Sequence, residues 1–107
     1  MIVMVSASNA LSASQDDTTK HYNLGVELYK KGDLDGAIAE YRIAIRLNPN
    51  LPNAHYHLGI ALMDQGNVSA AAKELEEFIR LAPNMPFYRS KIDEAKRRLN
   101  KLRVSEK

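Results

Sequence analysis

Apolar residues recur at three- and four-residue intervals along most of this chain. Between Thr18 and Lys31, Leu24 and Leu28 and the series Tyr22, Val26, Tyr29 have the spacing of an amphipathic helix. Gly32 and Asp33 end that pattern. Glycine accepts the left-handed conformation that closes a helix, and the aspartate carboxylate can receive a free amide of the helix that follows. A second helix is predicted over 34–47, with Ala37, Ile38, Tyr41, Ala44 and Ile45 on its inner side, and Pro49 forbids its continuation. The same logic then repeats: helices are predicted over 52–65 and 68–81, broken by Gly66-Asn67 and by Pro83. Pro52 suits a first helical turn, where amides are unpaired in any case. A fifth helix, over 86–103, carries the single stripe Tyr88, Ile92, Ala95, Leu99 and Leu102 among charged residues. That is the pattern of a terminal cap, apolar toward its neighbour and polar toward water.

Shifting the chain by 34 residues places His21 on His55, Tyr22 on Tyr56, Leu24 on Leu58, Gly25 on Gly59, Gly32 on Gly66, Ala37 on Ala71 and Glu40 on Glu74. Ile45-Arg46-Leu47 likewise falls on Ile79-Arg80-Leu81, and Pro49-Asn50 on Pro83-Asn84. Self-similarity at this period marks a stacked helical repeat. Gly25 and Ala37 let paired helices cross closely. Leu24, Leu28, Ala37, Leu58, Leu62 and Ala71 are the expected core.

The spaced residues carry a resemblance. His21-x2-Leu24-Gly25-x2-Leu28, Ala37-x3-Tyr41 and Pro49, then His55-x2-Leu58-Gly59-x2-Leu62, Ala71-x3-Leu75 and Pro83, resemble the tetratricopeptide repeat pattern twice in phase. The departures are histidine for tryptophan and leucine for tyrosine in both copies, and Phe78 where the first copy has Ala44. Phe78 predicts altered packing against the cap. The resemblance implies an all-α, right-handed α-solenoid of two antiparallel helix pairs, at about 18–31, 34–47, 52–65 and 68–81, plus a capping helix at about 86–103. The chain divides accordingly into an N-terminal segment, 1–17, a first repeat, 18–51, a second, 52–85, and a cap with basic tail, 86–107.

The resemblance further implies a concave groove, lined by the first helix of each pair, that receives a peptide. The positions expected to face it are Tyr22, Val26, Tyr29 and Lys30, with Tyr56, Ile60, Met63 and Asp64 in the second copy. Packing between the helices of a short superhelix is the competing role for Val26, Ile60, Tyr29 and Met63. One subclass of the family grips acidic chaperone tails with lysine and asparagine. The corresponding positions here hold Tyr22, Val26 and His57, so that clamp is absent.

Composition narrows the function classes. The 107 residues suit one domain with a modest core. There is no cysteine, so disulfides and thiolate metal sites are excluded. His55 and His57 point away from each other on a helix and His21 lacks further ligands, so the histidines read as packing residues and no metal or cofactor is expected. No phosphate-binding glycine loop or nucleophile–base set supports an enzyme. Net charge is +2, but 85–107 carries eight basic and three acidic residues, which leaves the rest at −3. The basic helix has no interleaved aromatics, so nucleic acid is disfavoured. No stretch reaches the roughly 20 apolar residues that span a bilayer.

The expected function is therefore an adaptor that binds a protein or peptide. The alternative is a self-associating module, a homo-oligomer, or a fragment of a longer repeat array, because two repeats are marginal for a solenoid. In the N-terminal segment, Ile2 to Val5 are apolar and Ser6 to Ser14 mostly small, with Ser8-Asn9-Ala10 resembling a cleavage site. The segment lacks a basic start and its apolar run is short. It reads as a tail or an artificial start, with the clipped remnant of a leader or anchor as the alternative. A cytoplasmic location is favoured, and an exported or anchored one if the remnant reading holds. Where ordered, the segment is expected to contact Tyr22, Tyr29, Tyr56 or Met63 as a groove ligand.

Overall fold

The computed structural model describes residues 17–105. Five helices follow one another: α1 over 17–30, α2 over Leu34–Leu47, α3 over Pro52–Gln65, α4 over Val68–Leu81 and α5 over Pro86–Ser105. No strand occurs among the described residues. The breaks arise from the expected residues. Gly32 and Gly66 stand at φ +87° and +93°, where a side chain would be strained. Beyond each glycine the next amide reaches back five residues, Asp33 N–H to the Leu28 carbonyl and Asn67 N–H to the Leu62 carbonyl, both at 2.9 Å. These bonds satisfy carbonyls that a helix end leaves free. Asp33 then caps α2, its Oδ1 accepting from Gly36 N–H at 2.9 Å. Pro52 opens α3 as its first residue.

Neighbouring helices pack in sequence: α2 on α3, α3 on α4 and α4 on α5. A histidine–glutamate pair ties the two helices of each repeat. His21 Nδ1 lies 2.7 Å from Glu40 Oε1, and His55 Nδ1 lies 2.7 Å from Glu74 Oε1. His55 Nε2 also meets the Pro49 carbonyl at 2.9 Å, so this packing histidine fastens the inter-repeat turn to the second repeat.

The core is continuous through the stack, from Ala37, Ile38 and Tyr41 on α2, through Leu58 and Leu62 on α3 and Ala71, Leu75 and Phe78 on α4, to Ala95, Leu99 and Leu102 on α5. The cap is thus seated by its apolar stripe. Phe78 is wholly buried, its ring 5.0 Å from that of Tyr56 and 6.4 Å from that of Tyr88 on α5. It joins α3, α4 and the cap where the first repeat has only Ala44.

One core expectation fails. Leu24 is 47% exposed, whereas its counterpart Leu58 is 3% exposed, and Leu28 is only half-buried. Leu58 is covered because α2 lies against α3, and among the described residues no helix precedes α1 to do the same for Leu24. The flanking positions follow suit: Lys20 and Glu27, both exposed, stand where the second repeat buries Ala54 and Ala61.

Candidate functional site

Residues 35 apart meet across α1 and α3. The Tyr29 hydroxyl donates to the Asp64 carboxylate, and the Tyr22 hydroxyl lies 3.5 Å from His57 Nδ1. Aromatic rings continue this surface: Tyr22 and Tyr41 lie 6.1 Å apart, Tyr41 and His57 5.9 Å, and Tyr56 and His57 5.7 Å. Tyr41, wholly buried on α2, comes beneath this surface because Gly25, with no side chain, lets its ring pass under α1.

These side chains enclose a hollow of about 330 Å³, lined by Val26, Tyr29, Lys30, Tyr56 and Ile60 together with Tyr41, His57 and Arg98. Met63 lines a second hollow, of about 570 Å³, with Glu94, Arg97, Arg98, Lys101 and Leu102. Arg98 belongs to both, so the two are neighbours at α5. Tyr22 and Asp64 flank the first hollow through their bonds to His57 and Tyr29. Of the eight positions read from the sequence, five thus share one hollow and Met63 lies in the next.

Tyr41, His57 and Arg98 are the additions. Arg98 was legible in principle: carried past Pro86, the same 34-residue shift puts Glu94, Arg97 and Arg98 where α3 has Ile60, Met63 and Asp64. The surface formed by these equivalent positions therefore changes from largely apolar on α1 and α3 to charged on α5. Tyr41 reads as helix-pair core and is indeed buried, and it also lines the hollow.

Electrostatics distinguishes the polar groups. Burial, with Lys91 nearby, lowers the His57 pKa to about 4, so at neutral pH the ring is uncharged. Its Nδ1–H donates to the Asn53 carbonyl at 2.9 Å, which leaves Nε2 as the acceptor. Burial first, then the Tyr22 and Tyr29 hydroxyls, pushes Tyr41 up to about 12, so it remains a protonated donor. Its hydroxyl oxygen is buried with no hydrogen-bond partner among the described residues. Tyr29 is raised by its hydrogen bond to Asp64 and by burial, Tyr22 chiefly by burial. Beside the hollow, Lys91 Nζ sits 5.8 Å from the Tyr56 ring centroid and 5.4 Å from that of Phe87.

No group of three metal-ligating side chains occurs among the described residues, nor a helix long and apolar enough to cross a membrane. Residues 1–16, including the expected groove-binding segment and its cleavage-like site, lie outside the described residues.

Comparison with known proteins agrees with the fold. No curated protein matches the sequence. Among solved structures, the chain is similar to the Yersinia enterocolitica type III secretion translocator chaperone SycD, with a TM-score of 0.80 at 20% identity over 94% of this chain and 68% of that one. It is also similar to SycD in complex with a peptide of the translocator YopD, with a TM-score of 0.79 at 16% identity over 99% of this chain and 88% of that one. At such identities the likeness concerns the fold. Family models speak to the sequence itself: one described as TPR repeat matches residues 25–66, and one described as Tetratricopeptide repeat matches 52–85. With its doubled motif, its paired helices and both matches in agreement, the chain belongs to the tetratricopeptide repeat family.

Proposed function

We propose that this chain is a non-enzymatic adaptor that holds a peptide segment of a partner protein in the concave hollow between α1, α3 and α5. The observation that carries this reading is the hollow itself: Val26, Tyr29, Tyr56 and Ile60 are half-buried and pack on one side only. A peptide's apolar side chains would cover them, at roughly 25 cal/mol for each Å² removed from water. Tyrosine also supplies contact area at little entropic cost, since only two torsions are fixed. The shared architecture with a chaperone whose structure includes a bound peptide supports a peptide as the kind of partner.

The test is selection of peptides from a displayed random library on the intact protein, followed by fluorescence polarisation with the synthesised winners. Ile60→Asp places a charge in the hollow and should weaken binding more than tenfold, while Lys96→Gln on the exposed face of α5 should leave it unchanged. Peptides that bind both variants equally would place the site elsewhere.

Self-association is a second reading, favoured by Leu24. An apolar side chain exposed to this degree on the outer edge of α1 would be covered by another copy. Light scattering decides it: a monomer at all concentrations excludes the reading, and a dimer dispersed by Leu24→Glu supports it.

A further inference from the structure

The peptide-binding reading leaves one group unused. The Tyr41 side chain is 0% exposed, its hydroxyl oxygen finds no hydrogen-bond partner among the described residues, and its ring lines the first hollow. A buried polar group without a partner is destabilising, and native structures keep few of them. Tyr41 is not forced to be there by packing alone, since phenylalanine would fill nearly the same space without the hydroxyl.

Two cations converge on the same hollow. Lys30 enters from the end of α1 and Arg98 from α5, and none of the eight lining residues is acidic. Asp64 stands outside the lining and is engaged by Tyr29. Arg98 is oriented by Glu94, whose Oε1 accepts from its Nε at 2.9 Å. Its charge is felt at the Tyr29 hydroxyl, where it opposes the upward shift caused by Asp64. A phenolic donor and two cations in an otherwise apolar hollow complement one chemical group, an anion with two acceptor oxygens.

We propose that the hollow selects a partner segment carrying an acidic side chain among apolar ones, the carboxylate accepting from the Tyr41 hydroxyl and sitting between Lys30 and Arg98. This rests on the peptide-binding reading and specifies the partner's chemistry. A side chain, not a chain terminus, is the source of the carboxylate. The second hollow continues past Arg98 along Met63 and Leu102, so a bound segment runs through the site and does not end in it. Of the places that hold the chaperone-tail clamp, Val26 and His57 line this hollow too but carry neither lysine nor asparagine, and its cations are Lys30 and Arg98.

The experiment uses peptides selected from the displayed random library, resynthesised in free-acid and amidated forms. Winners should carry Asp or Glu at one position flanked by apolar residues. Replacing that Glu by Gln should weaken binding by roughly tenfold, as expected for loss of a charge-assisted hydrogen bond, and amidating the C-terminus should change nothing. In Tyr41→Phe and, separately, Arg98→Gln protein, the Glu-over-Gln preference should shrink to less than about threefold. Lys96→Gln protein should keep the full preference. Tyr41→Phe should also melt at or above the wild-type temperature, because an unpartnered hydroxyl has been removed. Winners without an acidic position, a preference that survives both variants, or binding abolished by amidation would overturn the acidic-side-chain proposal while leaving the peptide groove intact. Winners insensitive to Ile60→Asp would instead overturn the groove reading, and this proposal with it.

Discussion

Gly25 lies directly against the ring of Tyr41: a Cβ built on Gly25 would stand 2.6 Å from Tyr41 Cε1 and 2.7 Å from its Cδ1. The ring is completely buried and cannot swing aside, so the missing side chain on α1 is what admits Tyr41 beneath it. Gly59 repeats the relationship with Leu75, where a Cβ would come within 2.9 Å of Cδ2. Gly25→Ala is therefore expected to destabilise by about 1 to 3 kcal/mol through overpacking. For a domain of this size that corresponds to a fall of roughly 4–8 °C in Tm per kcal/mol. A melting curve within a degree of wild type would show that α1 and α2 can separate without penalty.

The paired histidines should differ in weight although their bonds are alike. The His55 side chain is 8% exposed and meets two oxygens, of the Glu74 carboxylate and the Pro49 carbonyl, whereas that of His21 is 34% exposed and meets the Glu40 carboxylate. His55→Ala should lose about 2 to 3 kcal/mol and His21→Ala about 1 kcal/mol or less, because the first change empties a buried ring site and breaks two contacts, and the second removes a partly exposed ring with one. Denaturant midpoints of the two variants measure the difference.

Acid should weaken the fold through His57. Its folded pKa, about 4, lies below the ordinary value of 6.5, so between those limits the unfolded chain binds the extra proton. Stability from this residue is thus complete above about pH 6.5 and is lost as pH falls toward 4. At about 1.4 kcal/mol per unit the loss approaches 3 kcal/mol. Lys91 from α5, Tyr22 from α1, Tyr41 from α2 and Tyr56 from α3 itself are titratable or charged groups around the ring. His57→Asn should flatten the slope of denaturation free energy against pH in this window. An unchanged slope would assign the acid sensitivity to the carboxylates.

Phe78 should be the costliest single truncation. It is buried to completion between the Tyr56 and Tyr88 rings, and Phe78→Ala is expected to destabilise by about 3 to 5 kcal/mol. Because it touches α5, loosening of the cap should accompany the loss. Amide exchange over 86–105 rising faster than over 34–47 would show this.

Leu24 and Leu58, equivalent by motif, should respond oppositely to substitution. Leu58→Ala should lose about 2 to 5 kcal/mol by opening a cavity, whereas Leu24→Ala should stay within about 1 kcal/mol because its counterpart surface is already wet. Comparable losses at both sites in dilute protein would mean that something covers the edge of α1.

Much of this molecule is local and therefore legible along the chain. Turn and cap chemistry acts over a few residues, so Gly32-Asp33, Pro49, Pro52, Gly66 and Pro83 place the helix ends where the structure has them. The 34-residue recurrence then implies the pairing of helices, because two identical amphipathic units can bury their apolar faces only by stacking. What repetition could not reveal is how identical motifs diverge in different surroundings. Leu24 and Leu58 occupy the same register, yet only the second has a helix packed over it, and neighbours are a property of the stack, not of the motif. Tyr41 reads as core from its position on α2; that its hydroxyl ends without a partner in a hollow shared with Lys30 and Arg98 depends on the depth at which Gly25 lets it pass and on where α5 comes to rest. Side-chain convergence from four helices is set by tertiary packing, and so the charge and hydrogen-bonding character of the candidate site belongs to the folded structure.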